Sequence, residues 1–108
     1  MKLDLRENMY IRTKGGIIDK ILKLNKSYVK GVSQKDELYA YDIDNIVKAS
    51  YNIIDILEVG DYVNNERVEE IWKEIVLVGQ ECRPISFNNI KSIVTHEQME
   101  QMAYKVED

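Results

Sequence analysis

Ile53–Val78, IIDILEVGDYVNNERVEEIWKEIVLV, is the longest stretch of β-branched and other apolar residues in the chain, and it is broken twice. Gly60-Asp61 interrupts it first, and Asn64-Asn65 interrupts it again four residues later. Asn tolerates the left-handed backbone that a two-residue hairpin turn requires, so Asn64-Asn65 between Tyr62-Val63 and Val68 predicts a tight turn. Gly60 can take backbone angles that clash for other residues, which suits a sharp entry into a strand. The stretch is therefore read as the central meander of a small barrel-like domain.

Two readings compete inside it. Val68, Ile71, Trp72 and Ile75 fall at i, i+3, i+4 and i+7, so ERVEEIWKEI also fits an amphipathic helix. Glu66, Glu69 and Glu70 near its start would suit the helix dipole. The turn at Asn64-Asn65 and the β-branched tail favour a strand through Trp72, a bend at Lys73-Glu74 and a further strand Ile75–Val78.

The flanks extend the pattern. Met9–Thr13 predicts a first strand, returned by Lys14-Gly15-Gly16 into Ile17–Leu24. In that return strand Ile18, Leu22 and Leu24 share one face while Ile17 and Ile21 lie on the other. Apolar residues on both faces predict a strand that is covered twice or lies at a subunit interface. Tyr28–Val32 and Leu38–Ile43 are the next strands, joined by a polar loop, Ser33–Glu37. Asp44 is placed to cap a short helix, Asn45–Ser50, with Ile46, Val47 and Ser50 at helical spacing. Beyond the meander, Pro84 leads into an edge strand, Ile85–Phe87. Asn88-Asn89 turns it towards Ile90–Val94. Thr95-His96-Glu97-Gln98 matches a capping box and predicts a helix, His96–Met102, with Met99 and Met102 inward. Ala103–Val106 reads as a last short strand. No internal repeat is visible. The fold expected is mainly β, a small barrel or curled antiparallel sheet with two short helices. SH3-like topology is the first analogy, because an apolar-Gly-Asp-apolar-Val step often opens a strand in that group.

A chain of 108 residues predicts one domain. With 44% apolar and 31% charged residues it has an ordinary soluble balance. Asp55, Glu58 and Asp61 break the most apolar run before it reaches membrane-spanning length. The amino terminus, MKLDLREN, lacks the apolar region of a secretory signal. One cysteine, Cys82, rules out an internal disulfide framework and fits a reducing compartment, so the cytoplasm is expected. The net charge of −4 is unevenly spread: residues 1–35 carry nine Lys/Arg against three Asp/Glu, residues 36–108 six against sixteen. Solvated strand edges explain such a split simply. A basic face for an anionic partner, or self-association through opposite charges, are the sharper readings.

No catalytic signature stands out. His96 is the only histidine, and its place after Thr95 predicts an exposed residue of the capping turn. A zinc site within one chain would have to rest on carboxylates, so no metal and no cofactor are expected. Cys82 is read as an ordinary buried or semi-buried thiol, with Arg83 beside it able to lower its pKa if both were exposed. Gly15-Gly16 lacks the spacing of a phosphate-binding loop. Carboxylate pairs such as Asp42 with Asp44, or Asp55 with Glu58, lack a concave pocket in a chain this small, and solvated charge explains them better. Binding is the stronger class. Arg12, Arg67, Arg83, Phe87, Asn88 and Asn89 are of the types that hold nucleotides: guanidinium for phosphate, aromatic face for a base, amide for its edge. An acidic chain lacks the field for non-specific nucleic-acid binding.

Three stretches, Met9–Asp19 (MYIRTKGGIID), Ile53–Asn64 (IIDILEVGDYVN) and Ile93–Val106 (IVTHEQMEQMAYKV), resemble small uncharacterised proteins carried by phages and prophages of low-GC Gram-positive bacteria. In similar sequences the turn after Val63 is commonly Asn-Gly; here it is Asn64-Asn65. The resemblance assigns no residue a role. It implies a context, since small non-catalytic phage proteins often inhibit host immunity. The expectation is thus a non-enzymatic, homo-oligomeric phage accessory protein that counters host defence by binding a cyclic nucleotide or ADP-ribose-type signal. An inhibitor docking on a host defence protein through its acidic surface is the alternative, as is a structural or assembly domain of the phage particle.

Overall fold

The computed structural model of the chain describes residues 3–33 and 35–102. The expected strand Ala103–Val106 lies outside them. Among the described residues the fold is mainly β, with short 3-10 turns and one α-helix. The chain divides into two compact units, Met1–Ile56 and Leu57–Asp108.

The first unit contains β1 (Tyr10–Thr13), β2 (Ile18–Leu24), β3 (Tyr28–Val32), β4 (Leu38–Asp42) and β5 (Ile46–Ser50), with a 3-10 turn at Ile43–Asn45. The sheet order is β4-β3-β2-β1-β5, with every pairing antiparallel. Ile11, Ile21, Val29 and Ile46 form its core, with Leu5, Met9, Leu24, Tyr41, Ile43 and Ala49 packed against them. Each such aliphatic side chain contributes about 1.5–3 kcal/mol when fully buried.

The helix expected at Asn45–Ser50 is instead β5, and the reason is a bulge. Arg12 pairs with Lys48 but Thr13 with Ile46, so Val47 is an extra residue. It puts Ile46 and Ala49 on one face at a spacing of three, which imitates helical periodicity. Leu22 does the same in β2: the register slips between Ile21 and Lys23, Leu22 is exposed, and Leu24 returns to the core side. The buried face of β2 is therefore Asp19, Ile21 and Leu24, not the alternation expected from the sequence.

The second unit contains β6 (Tyr62–Val63), β7 (Glu66–Ile71), β8 (Ile75–Val78), β9 (Arg83–Ser86), a 3-10 turn at Phe87–Asn89, β10 (Ile93–Val94) and α1 (His96–Met102). Its order is β10-β6-β7-β8-β9. Asn64 and Asn65 have φ of 51° and 68°, the left-handed pair of the expected hairpin turn. Glu66–Ile71 is a strand, and its helical-looking spacing again comes from a bulge, between Val68 and Glu70. Val63, Val68, Val76, Val78 and Ile85 are buried in this sheet. β9 is an edge strand, as Pro84 indicated; β4, one of the two outer strands in the first unit, has no proline.

The two units are built alike. Each runs first-to-fourth strand as a meander, makes a 3-10 turn, and returns a fifth strand beside the first. That is the strand order of SH3-like barrels, and here it occurs twice. The match extends to single hydrogen bonds. Asn8 (φ 72°) donates to Ile21 O at 2.9 Å, and Gly60 (φ 98°) donates to Val68 O at 3.0 Å. Ile21 N donates to Met9 O at 2.8 Å, and Val68 N to Asp61 O at 2.7 Å. Asn25 N donates to Tyr28 O, and Trp72 N to Ile75 O, closing equivalent turns. The bulge after Ile21 has its counterpart after Val68. Tyr10 thus corresponds to Tyr62, Val29 to Val76, and Asn45-Ile46 to Asn89-Ile90. No repeat was visible in the sequence because the turns differ in length, and the offset between matching residues is not constant.

Candidate functional site

The second unit carries an open recess of about 410 Å³, lined by Val59, Gly60, Tyr62, Arg67, His96, Met99 and Glu100. Tyr62 and Arg67 are direct cross-strand partners on β6 and β7. His96 and Met99 come from α1, whose start is fixed by the capping box that the sequence announced. Gln98 N donates to Thr95 Oγ1 at 3.3 Å and Thr95 N to Gln98 Oε1 at 3.1 Å. Gly60 turns the backbone into the site at φ 98°, a conformation strained for residues with a Cβ, while the nearest atoms, Arg67 Nη2 and His96 Cβ, would leave that Cβ ordinary contact distance at 3.9 Å.

Asp61 ties the two sides of this site together. It is fully buried; Oδ2 accepts from Glu58 N at 2.7 Å and Oδ1 from His96 N at 3.0 Å. The His96 ring is consequently held against two carboxylates. Its Nε2 lies 2.8 Å from Glu58 Oε1 and 3.3 Å from Glu97 Oε1. Arg67 Nη1 reaches both oxygens of Glu69, at 3.0 and 2.9 Å, and its side chain remains about half exposed.

The six residues singled out from the sequence do not form one site. Arg12 is fully buried on β1 and donates from Nη1 to Ile56 O at 3.1 Å, so it anchors the 3-10 turn Ile53–Ile56 and is no ligand contact. Arg67 alone lines the recess. Arg83 opens β9 and pairs with Glu66; Phe87, Asn88 and Asn89 form the 3-10 turn after that strand, and all are exposed. Asn89 has structural ties, its carbonyl accepting from Asn64 Nδ2 at 2.9 Å and its Nδ2 donating to Ser86 Oγ at 3.2 Å.

His96 is half-buried and engaged rather than an exposed cap residue. Met99 and Met102 are exposed instead of inward, Met99 serving as a wall of the recess. Cys82 is an exposed thiol, at a left-handed position in the β8–β9 loop with φ of 51°. Glu58, Asp61, Tyr62 and Glu97 were missed as site residues. The signal for Glu97 was its place beside His96 in the capping box; Glu58 lies 38 residues away and had none.

Besides Arg12 and Thr13, the first unit buries Asp19, at 3% exposure, which accepts a hydrogen bond from Tyr41 Oη at 2.5 Å. Burial pushes the Asp19 carboxyl above the usual carboxylate range, against the opposing pull of the Tyr41 hydrogen bond. Tyr41 is raised as well, by burial and by the Asp19 carboxylate.

No protein-family model, no curated protein and no solved structure matches this chain. The SH3-like assignment rests on strand order and register alone, and such a fold hosts many functions. No helix among the described residues is long and apolar enough to cross a membrane.

Proposed function

We propose that this chain is a non-enzymatic binding protein of the phage-accessory kind, acting as a homo-oligomer to counter host immunity by holding a nucleotide-derived signal. The ligand class is a cyclic nucleotide or an ADP-ribose-type molecule. The observation that carries the reading is the recess of the second unit, where Arg67, Tyr62, His96 and Met99 converge. A half-exposed guanidinium suits a phosphate, while a phenol ring and a thioether suit the face of a base. The exposed apolar residues Ile17 and Leu22 of the first unit offer surface for self-association. Calorimetry with cyclic dinucleotides, cyclic trinucleotides and ADP-ribose isomers tests it. Binding of one of these, weakened about tenfold or more in Arg67→Gln, is expected. Absence of heat with all of them refutes sequestration.

A second reading, an inhibitor docking on a host defence protein, is favoured by the charge of the second unit. Residues 57–108 carry five Lys/Arg against eleven Asp/Glu, −6, whereas residues 1–56 carry ten against eight, +2. Glu70, Glu74 and Glu81 are exposed there, and so is Trp72, a residue type that often anchors protein interfaces. Capture of a host protein that is lost at moderate salt would support this reading; salt-insensitive capture would count against charge as its driver.

A further inference from the structure

We propose that Glu58, His96 and Glu97 form a site for a first-row divalent cation of the Zn²⁺ class, in contrast to the metal-free chain expected from the sequence. One imidazole nitrogen and two carboxylate oxygens lie within 4.8 Å of one another. In a tetrahedral site, ligands about 2.0–2.2 Å from a shared ion stand about 3.3–3.6 Å apart. The separation of 3.3 Å between His96 Nε2 and Glu97 Oε1 already matches, and Glu58 Oε1, now at hydrogen-bond distance, 2.8 Å, has to draw back by about 0.5 Å.

Two carboxylate oxygens converge on one imidazole nitrogen, a mixed nitrogen and oxygen donor set of the kind that divalent first-row cations take. The arrangement is held from the backbone, because Asp61 accepts the N–H of both Glu58 and His96, and the Thr95–Gln98 box fixes the turn carrying Glu97. Nor does the fold require these side chains. By the strand register, the first unit places Arg6, Met9 and Asn52 where the second has Glu58, Asp61 and His96. The cluster is therefore particular to the second unit.

Nitrogen and oxygen donors with partial exposure select borderline cations over soft ones such as Cu(I). His96 also lines the recess, so remaining coordination positions face solvent and can take water or a ligand oxygen. Because the metal needs the unprotonated imidazole, affinity falls as the pH is lowered.

The test is Zn²⁺ titration of the full chain by calorimetry, with the visible spectrum of Co²⁺ as a second readout and no nucleotide present. It therefore stands or falls separately from the proposed nucleotide binding. Cys82→Ser serves as background so that the exposed thiol contributes nothing. One ion per chain is expected, weakened about tenfold or more in His96→Gln, Glu58→Gln and Glu97→Gln and unchanged in the exposed-surface variant Glu81→Gln. Thermal melting of each variant without metal shows whether it is folded, and Glu97→Gln decides the matter if another variant fails to fold. Affinity unaltered in folded Glu97→Gln and His96→Gln, or no 1:1 binding at about millimolar Zn²⁺, overturns the proposal.

Discussion

Asp61 is the residue on which the second unit's site depends, and its removal can be costed. The carboxylate is fully enclosed and accepts two backbone hydrogens, from Glu58 at 2.7 Å and from His96 at 3.0 Å. Hydrogen bonds to a charged acceptor contribute about 1.5–3 kcal/mol each. Asp61→Ala deletes both and leaves two N–H groups poorly paired, so a loss of about 3–5 kcal/mol is expected. A unit of about fifty residues has about 3–8 kcal/mol of stability in all. The variant should leave that unit marginal. Asp61→Asn keeps one acceptor oxygen but turns an NH₂ towards a backbone N–H, and should cost about 2–3 kcal/mol. Amide hydrogen exchange is the right assay because it resolves the unit locally. Protection at Val63, Val68 and Val76 should fall about 100-fold or more in Asp61→Ala, a tenfold change corresponding to about 1.4 kcal/mol. Urea unfolding gives a second measure. A cost below about 1 kcal/mol for Asp61→Ala would refute the clamp.

Other outcomes are equally specific. Asn64 accepts Lys91 N and Ser92 N on Oδ1 at 2.7 and 3.1 Å and donates from Nδ2 to Asn89 O, besides holding φ of 51°. Asn64→Gly keeps the backbone but loses those bonds, about 1–3 kcal/mol; Asn64→Ala adds a left-handed penalty of about 1 kcal/mol, and chemical denaturation should rank them in that order. Asp19 has a folded-state pKa above its unfolded value of 3.8, so the folded chain holds the proton more tightly. Its contribution to stability is full below the unfolded pKa and declines as pH rises through the folded one. Asp19→Asn should therefore gain on the parent protein as pH increases from 3.8 through that interval, and a difference that stays flat in pH-dependent melting would count against it. Gly31 lies against Asp19, where a Cβ would approach Asp19 Cβ to 3.0 Å and Tyr41 Cε2 to 3.2 Å; Gly31→Ala should destabilise by about 1–3 kcal/mol in the same assay.

Much of this architecture was legible in the chain. The left-handed Asn64-Asn65 turn, Pro84 on an edge strand and the Thr95–Gln98 box each state a local backbone requirement that side-chain chemistry satisfies on the spot. What failed was periodicity across bulges. Val47 and Leu22 each add one residue to a strand, so that core positions fall three apart, and at Asn45–Ser50 this produced a false helix. The likeness of the two units was hidden for a related reason. Tyr10 and Tyr62 are 52 residues apart, Ile21 and Val68 are 47, and Ile43 and Phe87 are 44, because the turns between strands shorten in the second unit. A fixed-period comparison cannot align units related in this way. The candidate site suffered most: Arg12 looked like an anion-binding residue but is enclosed, while the Glu58–His96 contact depends on a strand order that residue types alone do not encode.

The outer strands of the two sheets differ in one respect that bears on aggregation. In the second unit the margin strand β9 carries Pro84, whose ring nitrogen has no hydrogen to give, so an incoming backbone cannot complete a ladder along it. β4 has no such blemish, and nearly all of its five residues lie open, Leu38 and Tyr39 among them. Templated strand addition between copies, whether in a domain-swapped form or in an amyloid-like deposit, has its natural starting place there. A proline or lysine introduced into β4 is accordingly the first change to make if the protein proves hard to keep dispersed.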